Sequence, residues 1–521
     1  MSAASQALAT VPVADCLAPI ARWFPYAETY WYPIPGHPGL GCYGTGYDHN
    51  WGIQTNLKYV GAMAAIAVLG PDAGVSPDLA ERALERALAA LRFDLRTHLT
   101  GDLARLDGRQ WGHGWITGLG IERAMFGVYL LDPHLADEDR AMVRNVLTSE
   151  ADWLLTEYEV VGDPWGTSGK NKPESNMWNG AILWRAAAMY PDHDRADAWR
   201  EKAHAFLLNA VSVPSDADDD TVIAGKPLRA WHVGANFFPH YALDHHGYTN
   251  VGYSVVTLSN AAMLHYDLAS QGYEAPESLY HHNADLWAVL RQTVFADGRL
   301  ARIGGDSRVR YAYCQDYLLP TLVYAADVLG DAEAVVLLEG MLAMIRGEQE
   351  YGKDGSFYAR RLAPLAENNP YYHSRLESDR AAVLAQAATY LTHLGQAGAL
   401  EGAGEGPAPT RASFEASVAG RWAEPEYGAV LHRSPTRLAS YAWRAQGLTQ
   451  GMCQPPDDGH LAEWHQNLSG VVRFQGDLGV ISGGRTAHRR LDRHEIRTYD
   501  GGFLTYGAVT EGLALAFDEG W

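Results

Sequence analysis

Residues 242–250 (ALDHHGYTN) combine a tyrosine with two histidines, side chains that suit proton transfer. His246 and Tyr248 are two residues apart at the predicted start of a helix, so an imidazole and a phenol can reach one substrate atom. Such a pair can act as general acid and base when burial or a nearby cation shifts its pKa. His245 adds a third polar group. Two alternatives stay open: His245 caps the helix while Tyr248 packs, or a divalent metal is bound by His240, Asp244, His245 and His246.

A second polar segment, 166–180 (GTSGKNKPESNMWNG), is predicted to lead into another helix. Asn176 and Asn179 are three residues apart, so their amides can face the same side of the first helical turn. Amide donors at a helix N-terminus hold an anionic oxygen, and Lys172 adds positive charge. Glu174 completes this candidate substrate-binding group. Helix capping is the alternative, but it explains one of these polar residues rather than all of them.

Three arginines follow a similar pattern in residues 302–313, where they flank a Gly-Gly pair. Arg302, Arg308 and Arg310, with Tyr313 close behind, form a candidate anion site because guanidinium groups match carboxylates. Salt bridging within the protein is the alternative for any single arginine.

Aromatic side chains are the other candidates for substrate contacts. The chain has 16 Trp and 28 Tyr against 12 Phe. Rings with a polar group suit half-solvated surfaces such as sugar clefts. The candidates near predicted helix starts, together with the basic residues beside them, are Trp111, His113, Tyr372, His373 and Arg375. Burial in a large helical core is the alternative for the tryptophans.

The elements that would position these residues are helices in pairs. Apolar residues recur at spacings of three and four from about residue 50 to 395, which predicts amphipathic helices. The first helix of each pair is predicted to begin near Trp51, Trp115, Glu174, Tyr248, Cys314 and Arg375. The partners are predicted at 76–98, 136–159, 193–212, 275–294 and 331–346. The polar segments precede the first helices, so we expect them to converge on one face of a helical array.

After residue 395 the pattern changes. Residues 396–413 are rich in Gly, Ala and Pro and are predicted to be a linker between a helical domain (1–395) and a β domain (414–521). Apolar residues then alternate in 428–445, 470–484 and 494–517, which indicates antiparallel strands. Only five or six strands are expected, so either the sheet packs on the helices or the β domain is incomplete.

Charge and composition exclude several protein classes. The chain has 41 Lys plus Arg against 62 Asp plus Glu, a formal charge of −21, which disfavours nucleic-acid binding and attachment to anionic lipid. The four cysteines form no CxxC pair, which indicates free thiols rather than a disulfide framework. No secretion signal is recognisable, so we expect a cytoplasmic protein. The sequence requires no cofactor, with a divalent metal as the alternative, and it does not indicate an oligomeric state.

The motif FFPHYALDHHGYTNVGY (237–253) resembles the His-Gly-Tyr segment of the heparinase II/III-like polysaccharide lyases, and KPESNMWNG (172–180) resembles their Asn-bearing segment. The resemblance implies an incomplete (α/α)5–6 toroid followed by an antiparallel β-sheet or sandwich domain. It also implies β-elimination on a uronate-containing glycan. These lyases usually carry an export signal and a longer β-sandwich, so the resemblance would also allow a secreted or periplasmic location.

In that interpretation Asn176 or Asn179 neutralises the substrate carboxylate, Tyr248 acts as base and acid, and His246 is the alternative base. Two other functions stay open. One is a glycoside hydrolase on a similar toroid, with a carboxyl pair drawn from Glu174, Asp244, Asp306 and Asp316. The other is a glycan-binding protein without catalytic activity.

Overall fold

The protein is described by a computed structural model. It describes residues 7–165, 172–305, 308–358, 360–398, 408–445, 449–456, 459 and 489–511, with the side chains of 308–311, 489–490 and 510–511 excepted. The predicted class, mainly helical with an antiparallel sheet region near the C-terminus, is confirmed.

The helices are α1 (Val13–Ala27), α2 (Asn50–Val68), α3 (Pro77–Thr97), α4 (Trp115–Leu131), α5 (Asp137–Thr156), α6 (Pro173–Met189), α7 (Ala196–Leu208), α8 (Leu228–Trp231), α9 (Val251–Ser270), α10 (Asn283–Leu290), α11 (Arg308–Asp316), α12 (Leu318–Asp327), α13 (Ala334–Gly352), α14 (Ala363–Asn368), α15 (Pro370–Gln396) and α16 (Arg411–Ser417). The strands are β1 (Trp31–Pro33), β2 (Gly41–Tyr43), β3 (Val222–Ile223), β4 (Lys226–Pro227), β5 (Asp244–His245), β6 (Tyr248–Thr249), β7 (Gly420–Glu424), β8 (Ala429–Ser434), β9 (Arg437–Ala442), β10 (Gln450–Gln454), β11 (Arg489–Tyr499) and β12 (Gly502–Glu511).

Burial divides the longer helices into an inner and an outer set. In α2 every residue of 52–66 is buried, and in α4 every residue of 116–128 is buried. A helix that is buried on all sides belongs to the centre of a large helical core. The outer helix α3 instead buries a stripe of small residues spaced by three and four, Ala80, Ala83, Ala87 and Ala90. This stripe covers α2 while charged residues face outward.

The inner helices contact one another in sequence order. Helix α2 packs against α4, α4 against α6, α6 against α9, α9 against α12, α12 against α15, and α15 returns to α2. The backbones of α2 and α4 come close together, because a Cβ added to Gly127 would lie 2.5 Å from the Cα of Gly61. Larger residues at either position would force these helices apart.

The outer helices cover the inner ones. Four of them each pack on the inner helix that precedes them: α3 on α2, α7 on α6, α10 on α9 and α13 on α12. Helix α5 contacts α6 and lies between α3 and α7. Helix α15 is covered by the N-terminal α1, a partner that the sequence analysis did not predict. The hydroxyl of Tyr26 in α1 lies 3.1 Å from Nε2 of His373.

The sheet region confirms the predicted strands of 428–445 and part of those of 494–517; residues 470–484 lie outside the described residues. Strands β7 to β10 form one antiparallel sheet in the order β10-β9-β8-β7, and β11 pairs with β12. Residues 399–407 of the predicted linker are also outside the described residues, and its end at 413 falls within α16.

The four-stranded sheet packs on the helical part. Phe295 and Ile303 share an apolar cluster with Leu431, Leu438 and Met452. The buried side chain of Arg433 in β8 fastens this contact, because its guanidinium binds Glu415 of α16 and donates to the carbonyl of Val294.

All four cysteines are free. Every helix among the described residues is too short or too polar to cross a membrane.

Candidate functional site

A group of side chains that contact one another lies at or near the first turns of the inner helices, and we call this group the mouth. We define it by His245, His246, Tyr253, Tyr313, Arg375, Trp51, Trp115, Lys172 and Glu174. Local sequence sets these helix starts. Pro173 and Pro370 occupy the first position of α6 and α15, where a missing backbone N–H costs nothing. Asn250 caps α9 by accepting a hydrogen bond from the backbone N–H of Tyr253 at 3.0 Å.

A buried histidine–carboxylate pair forms one wall of the mouth. Nε2 of His245 lies 3.1 Å from Oε1 of Glu174, and Glu174 is fully buried. The ring of His245 stacks on that of Tyr253, with centroids 4.0 Å apart. A carboxylate on one ring nitrogen fixes the orientation and tautomer of an imidazole. Glu174, which the sequence predicts to bind substrate, therefore orients the ring of His245.

His246 projects from a tight turn beside this pair. Strands β5 and β6 form a hairpin with His246 and Gly247 as its two loop residues, both at positive φ, +62° and +81°. Two-residue hairpin turns with positive φ at both positions match the natural strand twist. A histidine there is strained relative to glycine. The turn exposes His246 and places its Nε2 3.5 Å from the hydroxyl of Tyr253.

Aromatic rings continue from this pair around the mouth. Tyr253 lies edge-on to Tyr313, and the guanidinium of Arg375 lies 5.2 Å from the centroid of the Tyr313 ring. The same guanidinium lies 5.1 Å from the ring of Tyr372 and 5.8 Å from that of Trp51. Cations on aromatic faces are held without losing their charge.

Two tryptophans complete the chain of contacts. Trp51 and Trp115 have centroids 5.7 Å apart, and the ammonium group of Lys172 lies 5.7 Å from the ring of Trp115. The indole of Trp115 donates to the hydroxyl of Ser175 at 2.7 Å, in the turn that also contains Glu174. Acidic, basic and aromatic groups from α2, α4, α6, α9, α11 and α15 are thus linked by direct contacts.

Three of the predicted catalytic residues lie behind this surface. Tyr248 is fully buried in β6, opposite His245. Asn176 is also fully buried, and its amide donates to the carbonyls of Val161 and Asn209, both at 2.8 Å, so it ties two loops together. Asn179 is buried beside Gly118 of α4, whose lack of a side chain makes room for it.

Other predicted binding residues lie away from the mouth. Trp111 is buried and donates to the carbonyl of Asp94, while His113 bonds to Ser149 and lines a separate surface groove of about 680 Å³. His373 is buried against Tyr26, and burial lowers its pKa to about 4. Arg302 lines a crevice of about 20 Å³.

Arg308 and Arg310 lie on α11, and their side chains are outside the described residues.

The mouth contains Tyr253 and Trp51, which the sequence analysis did not select as site residues. Tyr253 lies one helical turn beyond the N-cap Asn250, and Trp51 is the second residue of α2. An aromatic residue in the first turn of an inner helix is the signal that could have identified both of them.

The sheet contacts the segment that carries the two histidines. The hydroxyl of Tyr427 donates to Oδ2 of Asp244 at 2.9 Å, and the backbone N–H of Thr249 donates to the carbonyl of Arg444 at 2.7 Å. Burial raises the pKa of Asp244 to about 6, even though the hydrogen bonds from Tyr427 and Gly247 favour its charged form. The hairpin is thereby fixed from the sheet side.

One group of potential metal ligands is found among the described residues. Asp216, His281 and His282 each offer one ligand atom, and these atoms lie within 4.8 Å of one another. They are separate from the residues for which a metal was the alternative interpretation, His240, Asp244, His245 and His246.

Comparison of the chain with protein-family models finds no match, and no curated protein is significantly similar to it in sequence.

Proposed function

We propose that the protein is a polysaccharide or oligosaccharide lyase that cleaves a uronate-containing glycan by β-elimination at the mouth. The observation that carries the proposal is the contact between exposed His246 and half-buried Tyr253. It lies beside a buried histidine–glutamate pair and is linked through Tyr313 to the cation of Arg375. In this proposal the inner and outer helices form an (α/α)6 toroid with its substrate cleft at the mouth.

The chemistry needs a base, an acid and a cation within one cleft. The base removes the proton α to the uronate carboxylate, and the electron pair moves into that carboxylate as an enolate. Its collapse expels the glycosidic oxygen from the adjacent carbon, and the acid protonates that oxygen. The proton is weakly acidic until positive charge stabilises the enolate, so a fixed cation lowers the barrier most.

The proposed roles follow from exposure and contacts. Tyr253 acts as base, and His246 returns a proton to the leaving oxygen. Arg375 and Lys172, each held on aromatic rings, pair with the substrate carboxylate. His245 positions Tyr253 through the ring stack. Tyr248, the base expected from the sequence, becomes a packing residue because its side chain is sealed from solvent.

The carboxyl groups expected for a hydrolase do not favour that alternative. Asp244 accepts from Tyr427 and Gly247, and Glu174 binds His245. Asp316 is fully buried against Arg380. Asp306 lies outside the described residues. An inverting hydrolase needs one carboxylate beside a water and one acid beside the leaving group, and these three carboxyl groups are engaged elsewhere.

The experiment is a panel of uronate-containing glycans followed by the ultraviolet absorbance of the unsaturated product. Each reaction is also analysed for reducing ends. A lyase produces both signals together, whereas new reducing ends without absorbance would identify a hydrolase and overturn the proposal.

Two tyrosine variants then test the roles on any active glycan. Tyr253→Phe and Tyr248→Phe each remove one hydroxyl, so they are matched. We expect Tyr253→Phe to lower kcat by about 10²-fold or more and Tyr248→Phe to retain most activity. The reverse order would return the role of base to Tyr248.

A further inference from the structure

The group formed by Asp216, His281 and His282 lies on segments away from the mouth. Asp216 belongs to the turn Pro214–Asp218 that follows α7, and the two histidines directly precede α10. Oδ2 of Asp216 lies 3.2 Å from Nε2 of His281, and Oδ1 lies 3.0 Å from Nε2 of His282. Four-coordinate zinc with bonds of 2.0–2.1 Å places its ligand atoms about 3.3 Å apart. The two distances from Asp216, one from each carboxylate oxygen, are close to that spacing.

The surroundings of the group match those of a metal centre. Nδ1 of His282 lies 2.9 Å from Oδ2 of Asp285 and 3.0 Å from the hydroxyl of Tyr241. Metal-binding histidines usually donate their second ring nitrogen to a carboxylate in this way. The carboxylate of Asp216 is itself fixed, because it accepts from the backbone N–H of Val213 at 3.0 Å.

Burial and backbone conformation give two further observations. Asp216 and His281 are nearly sealed from solvent, while the side chain of His282 remains 21% exposed, which leaves one open direction for a fourth ligand. His282 and Tyr241 both adopt left-handed backbone conformations, with φ of +54° and +65°. Strain at two neighbouring residues is maintained where it positions functional side chains.

We propose that Asp216, His281 and His282 bind one divalent transition metal of the zinc type. Two imidazoles and one carboxylate select such metals over Mg²⁺ and Ca²⁺, which prefer oxygen ligands. The metal joins the turn after α7 to the start of α10. Through Tyr241 it also supports the segment that leads into β5 and His246. Its role is therefore structural, and the proposed function of the mouth does not depend on it.

The test uses the full-length protein without any glycan. Chelator-treated protein is titrated with Zn²⁺ by calorimetry, and metal content is measured by elemental analysis after dialysis. We expect one Zn²⁺ per chain, with Ca²⁺ and Mg²⁺ unable to compete. Binding of Zn²⁺ no tighter than to the double variant His281→Gln/His282→Gln would overturn the proposal.

Three single variants define the ligand set. His281→Gln should weaken Zn²⁺ binding by at least about 100-fold, and Asp285→Asn, beyond the ligands, by about 10- to 100-fold. His134→Gln changes an exposed histidine elsewhere and should leave binding unchanged. Equal affinity in all three would contradict the assignment.

A second measurement needs only the wild-type protein, so it tests the proposal even if the variants fail to fold. Co²⁺ added to the stripped wild-type protein should give visible d–d absorption that Zn²⁺ removes at one equivalent. Absence of these bands would also overturn the proposal.

Discussion

Two regions of the molecule hold an arginine differently: one in the helical interior is paired with carboxylates at short distance, whereas the one at the mouth has aromatic rings as its close neighbours. Arg185 illustrates the interior: its guanidinium contacts Glu122 at 2.8 Å and Asp267 at 3.0 Å, and all three residues are buried. Arg375 illustrates the mouth: its side chain is buried as well, but its ion pair with Asp379 is long, 3.9 Å, and its close neighbours are Tyr313 and Tyr372.

The difference concerns what each cation can still bind. A buried charge needs a fixed partner, because desolvation otherwise costs several kcal/mol. Arg185 meets that need with two carboxylates and has no capacity left for a ligand. An arginine on aromatic faces is positioned without being neutralised, and in our proposal it pairs with an anionic group of the substrate. The excess of acidic residues in the whole chain therefore does not oppose an anionic substrate at the mouth.

The largest effect expected at the mouth is on catalysis. His246→Asn keeps a residue that tolerates positive φ and removes the imidazole. We expect kcat/KM on the active glycan to fall by about 10²- to 10⁴-fold. The free energy of unfolding should change by only about 0.5 kcal/mol, as for other surface substitutions.

The control for this variant is His240→Asn, an exposed histidine in the same segment. It should retain activity. If both variants lose activity equally, the loss reflects disturbance of the segment and not proton transfer by His246.

In the interior, the same kind of change should affect stability. Arg185→Met leaves Glu122 and Asp267 buried without their cation, and we expect it to lower the free energy of unfolding by about 3–5 kcal/mol. Urea denaturation measures it. The matched variant Arg200→Met breaks an exposed pair with Asp197 and should cost less than about 0.5 kcal/mol. Similar losses of unfolding free energy in both variants would show that burial does not determine how much an ion pair contributes to stability.

The sequence predicts much of the helical frame and less of the site. The starts of α2, α6 and α15 follow from apolar periodicity together with proline or asparagine at the first turn, which are local signals. Helix α1 was missed because Pro19 and Pro25 interrupt its pattern. Its partner α15 also lies more than 300 residues further along the chain, a pairing that local patterns do not encode.

The site shows the same limit. His246 and Gly247 form the turn of a hairpin whose strands have two residues each, too short for a periodic pattern, so a helix was predicted to begin at Tyr248. The hairpin turns Tyr248 inward and leaves Tyr253 at the mouth. The contact between Glu174 and His245 spans 71 positions. Residue types identified segments that meet at the mouth, but tertiary packing decides which of their side chains are exposed there.

Asp244 is buried beside the mouth residue His245 and gives a prediction about pH. Its pKa is raised by burial to about 6 in the folded protein, against about 3.9 when unfolded. The folded state therefore binds the proton more tightly. The associated stability is fully present below the unfolded pKa and is lost as pH rises through about 6.

Asp244→Asn does not titrate and serves as the reference. Between pH 4 and pH 7 the wild-type protein should lose roughly 2–3 kcal/mol of unfolding free energy relative to this variant. Urea denaturation of both proteins across that range measures the difference, in which other titrating groups cancel. A difference that stays constant with pH would show that Asp244 is solvated like a surface carboxylate.

The smallest effect expected concerns the aromatic support of Arg375. Tyr372→Leu removes one of its rings, and we expect a loss of about 0.5–1 kcal/mol in unfolding free energy. A less firmly held guanidinium should bind the substrate carboxylate more weakly, so KM should rise several-fold.

The control Tyr351→Leu removes the ring beneath Arg360, at an exposed site away from the mouth. It matches the chemical change and should leave KM unchanged. If Tyr372→Leu lowers stability without changing KM, Arg375 is a structural cation like Arg185, and the distinction between mouth and interior fails at that residue.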